Sequence, residues 1–202
     1  MYRVEEMLRI RNDLQQKLDP RRYEHTLGVS FTSAALAMTY GGDVLEAQMA
    51  GLLHDCAKRF PERVLIEKCI KHGIPLTEGE LAAPAVIHAK YGRYMAEHKY
   101  GITEEDVLNA IAYHTTGRPG MSRLEKIIFI ADYIEPLRTK AADLAEMRAL
   151  AFRDLDACMR AILASTVDYL ESKGSAIDPD TLSALAYFED LEKEKEGKLS
   201  HD

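Results

Sequence analysis

The sequence has few cysteines, no long apolar run and no excess of basic residues, and each of these shortages excludes a class of protein. Among its 202 residues the three cysteines are Cys56, Cys69 and Cys158. Their odd number and wide spacing fit neither a disulfide framework nor a CxxC metal knuckle. Free cysteines are typical of a reducing compartment, so we expect a cytoplasmic protein.

The charge pattern argues against a membrane protein and against a protein that binds duplex nucleic acid. The longest stretch without a charged side chain, residues 25–42, contains histidine, hydroxyl residues and three glycines, which is too polar for a membrane span. The first residues mix acids and bases, which is unlike a signal peptide. The net charge of −7 gives no general basic surface. A small anionic substrate would need a local positive site.

The chain is predicted to be all-α. No segment shows the sustained alternation of apolar and polar residues that a strand requires. Helix starts are marked by Asp19 before Pro20, by Asp43 and by Asp178 before Pro179. Two further starts have the capping-box pattern, Thr77 with Glu80 and Ser122 with Glu125. Helix ends are expected at Gly41, Gly73 and Pro136.

One structural domain of three parts is expected. The parts are an N-terminal helix over residues 1–20, a core over residues 21–140 and C-terminal helices over residues 141–202 that pack on the core. A single long helix is predicted from Ala141 to Lys173, and the charged tail from Glu189 onward is interpreted as a solvated helix end.

Four residues with metal-binding side chains follow or interrupt apolar helical segments. His54 and Asp55 come directly after the apolar run 50–53, and His25 and Asp132 lie on two other apolar helices. A buried carboxylate needs a partner, and Lys58 or Arg59 could supply a purely structural ion pair. Alternatively, three helices of a bundle could bring these residues to one cation. Two imidazoles and two carboxylates suit iron, manganese or zinc.

The motifs HTLGVS, AGLLHDCAK, AYHTTG and FIADYIEPLR, in this order, resemble those of HD-domain metal-dependent phosphohydrolases. More narrowly, they resemble the YqeK-type symmetrical bis(5′-nucleosyl)-tetraphosphatases. The resemblance runs from about Arg21 to the end of the chain. It implies an HD-domain helical bundle that binds a divalent metal, most simply one iron, with manganese or zinc as alternatives. The implied ligands are His25, His54, Asp55 and Asp132.

The implied reaction is the symmetrical hydrolysis of diadenosine tetraphosphate (Ap4A) and related dinucleoside polyphosphates to two nucleoside diphosphates, ADP or GDP. A divalent metal suits this chemistry because it lowers the pKa of a bound water and shields phosphoryl oxygens. The leaving diphosphate has a second pKa of only about 6, so strong acid assistance is less necessary.

His88 and His114 have two competing roles. They could bind a second metal through Asp55, or they could contact the substrate phosphates as donors and proton shuttles. The resemblance implies one iron, so we favour catalytic substrate contact for both, together with Lys58. For His88 a packed histidine between Ile87 and Ala89 is the structural alternative.

The remaining candidates are predicted to bind the substrate. Arg22 and Lys58 lie three and four residues from ligands on the same predicted helix faces, and Arg138 follows Asp132 by six residues. The loop after His114 adds Thr115 and Arg118. Ligand Asp132 is included as well. The family resemblance places a last loop at the nucleoside end of the pocket: Gly174, Ser175, Ala176, Ile177 and Asp178. A helix connection would explain these residues equally well.

Cys56, Met147 and Met159 are interpreted as packing residues. Three other functions use the same residues: an HD hydrolase of mononucleotides or guanosine tetraphosphate, a di-iron HD oxygenase with His88 and His114 as ligands, and a non-catalytic nucleotide sensor. A homodimer is possible.

Overall fold

The computed structural model describes residues 2–139, 141 and 143–199, and within them all regular structure is helical. The helices are α1 (Val4–Gln15), α2 (Pro20–Tyr40), α3 (Val44–Leu53), α4 (Glu62–Lys71), α5 (Glu78–Ala82), α6 (Ile87–His98), α7 (Glu105–Tyr113), α8 (Arg123–Ile134), α9 (Leu144–Ala151), α10 (Leu155–Ser172) and α11 (Pro179–Leu199). A short 3₁₀ turn, Pro84–Val86, precedes α6. The all-α prediction is confirmed.

A few predicted features lie outside the described residues. They are residue 140, where the predicted core ends, residue 142 of the predicted long helix, Met1 of the N-terminal segment and residues 200–202 of the charged tail.

The predicted helix starts are present. The Asp19 carboxylate accepts a hydrogen bond from the Arg22 N–H at 3.0 Å, with Pro20 at the first helical position. Both capping boxes form as predicted, at Thr77 and at Ser122. Each cap satisfies backbone N–H groups that the first helical turn leaves unpaired. Short local patterns therefore fix where these helices begin.

The prediction of one helix from Ala141 to Lys173 is wrong. The segment forms α9 and α10, which are separated at residues 152–154. The Asp154 carboxylate accepts hydrogen bonds from the Asp156 and Ala157 N–H groups, which starts a new helix. The Ala151 carbonyl at the end of α9 accepts a hydrogen bond from the Tyr40 hydroxyl at 2.8 Å. No proline or glycine lies near Asp154 in the sequence, so neither of the usual signals of a helix break is present.

Helices α2, α3, α7 and α8 pack together at the centre of the molecule. Gly51 permits the close approach of α3 to α2, because a Cβ there would lie 2.8 Å from the Ser30 Cα atom. Most of α8 is buried, as its nearly continuous apolar sequence requires. This packing brings the N-terminal part of α2, the end of α3 and the end of α8 to one place.

Residues outside these four central helices also belong to the hydrophobic core. Cys56, Met147 and Met159 are buried, so their interpretation as packing residues is confirmed. No helix in the described ranges is both long and apolar enough to cross a bilayer.

Candidate metal centre

Four side chains converge where α2, α3 and α8 meet. The Nε2 atom of His25 lies 3.3 Å from Nε2 of His54 and 3.0 Å from Oδ1 of Asp132. The Oδ2 atom of Asp55 lies 3.5 Å from Nε2 of His54 and 3.7 Å from Nε2 of His25. Donors about 2.1 Å from a common ion are separated by roughly 3.0–3.5 Å. Three of these four distances lie in this range and the fourth, 3.7 Å, is slightly longer, so the spacing of the predicted ligands is close to that around one divalent cation.

The other oxygen of Asp55 belongs to a second donor set. Its Oδ1 atom lies 3.1 Å from Nε2 of His88 and 3.7 Å from Nε2 of His114. The two imidazole nitrogens are 3.2 Å apart. Asp55 thus faces two groups of potential ligands, one through each carboxylate oxygen.

The ring orientation of three histidines is fixed by the backbone. In His54, His88 and His114, Nδ1 bonds to the carbonyl oxygen three residues earlier in the chain, and these acceptors are Gly51, Ala85 and Ile111, at 2.6, 2.7 and 2.8 Å. A carbonyl oxygen only accepts, so Nδ1 of His54 and of His114 carries the proton and Nε2 presents a lone pair. Nδ1 of His88 lies between a carbonyl oxygen and the Lys58 Nζ atom, so these contacts do not fix the tautomer of this ring. The close approach of the Nε2 atoms of His88 and His114 requires a proton or a cation between them. The donor set fits metal ions.

The electrostatics of the cluster also suit a metal. Burial alone would raise the pKa of Asp55, but His54, His114 and His88 hold that pKa well below its usual value. Burial lowers the pKa of His88 to about 4. Both effects favour the ionised carboxylate and the neutral imidazole, which are the forms that bind metals.

A cavity of about 710 Å³ opens beside the cluster, and arginines contribute to its lining. Arg22 Nη1 lies 2.6 Å from Oδ2 of Asp55, and Arg138 Nη2 lies 2.6 Å from Oδ1 of Asp132. Two of the three predicted substrate-binding arginines therefore reach the cluster. Arg22, rather than Lys58 or Arg59, is the cationic partner of Asp55.

Lys58 and Thr115 also reach the cluster. Helix α3 ends before His54, so Lys58 does not share a helix face with it as predicted, because the chain turns there. The turn nevertheless brings Lys58 Nζ to 3.1 Å from Nδ1 of His88. Burial lowers the pKa of this lysine. The Thr115 hydroxyl lies 3.1 Å from Nε2 of His114.

Two predicted substrate groups lie away from these side chains. Arg118 binds Glu125, which is fully buried, at 2.7 and 3.1 Å and lies over the Tyr113 ring. In the loop from Gly174 to Asp178, Gly174 adopts the left-handed conformation that ends a helix. Asp178 lines a separate cavity of about 550 Å³, whose lining contains no cluster ligand.

One residue at the cluster was missed by the sequence analysis. Glu135 is 1% exposed, and its Oε1 atom lies 3.0 Å from Nδ1 of His25. Both ring nitrogens of His25 therefore face carboxylates, which raise its pKa despite burial. The available signal was an acidic residue directly after an apolar helix and before Pro136.

The family model of the HD domain matches residues 22–137 of this sequence, which include all four predicted ligands. This chain belongs to the HD-domain family. The motif resemblance on which the prediction rested is thereby confirmed.

Relatives of this HD-domain protein span almost its whole length. A protein of Halalkalibacterium halodurans named "Bis(5'-nucleosyl)-tetraphosphatase, symmetrical" is 40% identical over 82% of this chain and 88% of its own. The Bacillus subtilis protein of the same name is 38% identical over 83% and 89%, respectively. A crystal structure described as a "predicted HD superfamily hydrolase involved in NAD metabolism" from Clostridium acetobutylicum is 39% identical, with a TM-score of 0.89. The match covers 95% of this chain and 99% of that one.

Proposed function

We propose that this HD-domain protein is a metal-dependent hydrolase that splits diadenosine tetraphosphate and related dinucleoside polyphosphates symmetrically into two nucleoside diphosphates. The observation that carries the proposal is the buried cluster of imidazoles and carboxylates beside a cavity with arginines in its wall. Relatives that are 36–40% identical over most of the chain bear the name of this activity.

The ligands of the proposed metal are His25, His54, Asp55 and Asp132, and iron is the metal we propose, with manganese and zinc as alternatives. When bound, a divalent ion lowers the pKa of a coordinated water towards neutrality and offsets phosphoryl charge. The backbone bond at Nδ1 of His54 keeps its Nε2 lone pair directed at the cluster.

The geometry also supports a second ion. Asp55 presents Oδ1 to His88 and His114, whose Nε2 atoms are 3.2 Å apart. The preference for substrate contact by these two histidines rested on the resemblance to enzymes with one iron. The three donor atoms are also close enough to hold a cation, which supports ligation as the competing role, and metal analysis decides between the two roles.

The cations beside the cluster are proposed to bind the tetraphosphate chain. Arg22 and Arg138 line the cavity and pair with Asp55 and Asp132, respectively, so an incoming phosphate can compete with these carboxylates for the guanidinium groups. Lys58 adds a third positive side chain next to His88. The leaving nucleoside diphosphate has a terminal pKa of about 6, so hydrolysis needs little proton donation from the protein.

The test is hydrolysis by the purified holoprotein with product chromatography. We expect two ADP from one diadenosine tetraphosphate. Pyrophosphate or inorganic phosphate from mononucleotides or guanosine tetraphosphate would favour the rival hydrolase function. Oxygen consumption with two irons per chain would favour an oxygenase, and tight nucleotide binding without turnover would favour a sensor. The cytoplasmic location and a possible homodimer remain predictions.

A further inference from the structure

We propose that Glu135 is a positioning residue for His25, and that Gly28 provides the space that Glu135 needs. This inference rests on the metal site proposed above. The Glu135 carboxylate lies at Nδ1 of His25, on the ring edge opposite the Nε2 atom that faces the cluster. Glu135 therefore acts on the metal through His25 rather than by direct contact.

His25 differs from the other three histidines of the cluster. Each of those has a neutral backbone carbonyl at Nδ1, whereas His25 has a carboxylate. A carboxylate at the distal ring nitrogen orients a histidine ligand and raises its basicity more than a neutral acceptor does. We therefore expect His25 to be the strongest imidazole donor of the site.

Both oxygens of Glu135 are in use, which fixes the direction of the carboxylate. Oε1 faces His25, and Oε2 accepts a hydrogen bond from the Leu137 N–H at 2.7 Å. The Arg148 side chain donates to the carbonyl groups of the same turn, namely those of Ile134, Glu135 and Arg138, each at 2.9 Å. Glu135 thus links the turn after α8 to α2, and Arg148 links the same turn to α9.

Gly28 lies three residues after His25, on the same face of α2. A Cβ atom at this position would lie 2.5 Å from Oε2 of Glu135, so the carboxylate would have to move from the position in which both its oxygens are bonded. Glycine inside a helix is less favourable than alanine. Its presence here is explained by the need to admit the Glu135 carboxylate.

The experiment is a double-mutant cycle in which Mn²⁺ affinity of the metal-free full-length protein is measured. Loss of a carboxylate that orients a histidine ligand typically costs about 10–100-fold in metal affinity. We expect Glu135→Ala to weaken binding by about this factor. Gly28→Ala should weaken binding too, because it displaces the same carboxylate. In the double variant, Gly28→Ala should cause no further loss of Mn²⁺ affinity, because the Glu135 carboxylate that it would displace is absent.

Two controls separate positioning from general damage. Gly42→Ala places a Cβ in ordinary contact, 3.6 Å from Ala37, and should leave affinity unchanged. In the Zn²⁺-loaded wild type, the Nδ1–H proton of His25 should give a downfield NMR signal that Glu135→Ala abolishes. If Glu135→Ala does not fold, Glu135→Gln carries the test, since it removes the charge with little change of shape.

The outcomes distinguish this inference from the proposed function. Unchanged affinity in Glu135→Ala, or in Glu135→Gln where that variant carries the test, would overturn the role of Glu135. Independent, additive losses in the double variant would overturn the role of Gly28. A wild-type protein that binds no Mn²⁺ or other divalent metal would instead overturn the metal site on which the proposed function rests.

Discussion

Oδ1 of Asp55 lies 3.1 Å from Nε2 of His88, on the opposite side of the carboxylate from the His25 and His54 pair. One side chain therefore joins two donor sets, and the histidines of the second set lie between Asp55 and Asp132 in the sequence. The sequence resemblance implies one bound ion. The geometry, with a donor set at each oxygen of Asp55, supports two.

The number of ions can be read from His114→Ala. We expect two metals per chain in the wild type and fewer in the variant, because His114 can act as a donor with Asp55 and His88 and also with His54 and Asp132. Turnover should fall by roughly 100-fold or more, since losing a positioned electrostatic or acid–base group has this effect. One metal in both proteins would return His114 to the substrate-contact role.

The first donor set is tested by His54→Ala and by Asp55→Ala. Each should abolish metal binding at this set and hydrolysis, because each removes a ligand. Circular dichroism should show that both variants remain helical. His98→Ala, which alters a surface histidine, is the matched control and should behave like wild type. Full metal content and turnover in either ligand variant would refute the site assignment.

The phosphate-binding cations should act on the substrate and not on the metal. Arg22→Ala, Lys58→Ala and Arg138→Ala are expected to retain metal while KM rises or kcat falls, because the lost charge faces the tetraphosphate chain. Arg63→Ala removes an exposed arginine paired with Glu67 and should change neither constant. Wild-type kinetics in all three variants would place the substrate elsewhere.

Arg118 is expected to matter for stability. Its removal leaves the buried Glu125 carboxylate without its cation, a loss that typically costs about 3 kcal/mol or more. Urea unfolding of Arg118→Ala should show this decrease in the free energy of unfolding. KM measured below the unfolding transition then tests the predicted phosphate contact: an unchanged KM would argue against it.

The stability of the N-terminal helix should depend on pH through Asp13. Burial would raise the pKa of Asp13, but hydrogen bonds from Lys17, Lys99 and Tyr100 lower it well below its usual value. A lowered pKa in the folded state stabilises the protein above the unfolded-state value of about 3.9, and this stabilisation is lost as the pH falls further.

Urea midpoints measured between about pH 6 and pH 2 check this prediction. The wild type should lose more stability over this range than Asp13→Asn, in which the position no longer titrates. Equal losses in the two proteins would show that Asp13 has the same pKa in both states.

Local patterns in the sequence were sufficient for most helix starts and for the four residues proposed as metal ligands, which the structure brings together. Capping at Asp19 and Ser122 depends on residues within one turn, so it was predictable. The break at Asp154 was missed because the same residue type occurs in helix interiors and at caps. Tertiary packing decided which use prevailed.

Contacts between distant segments could not be predicted in the same way. Glu135 and His25 are 110 residues apart, and no local pattern links them. Lys58 reaches the cluster by a turn and not by a shared helix face. Arg118 has a buried acidic partner seven residues later that competes with any substrate role. These relationships depend on how α2, α3 and α8 pack.

The most direct test of the proposed activity is hydrolysis of diadenosine tetraphosphate by the metal-loaded protein in ¹⁸O-labelled water, followed by mass spectrometry of the nucleotides. We expect two ADP molecules from each substrate molecule. One of them should carry one ¹⁸O atom from the water, and the other should carry none. ATP with AMP as products, or no hydrolysis by protein that has its full metal content, would contradict it.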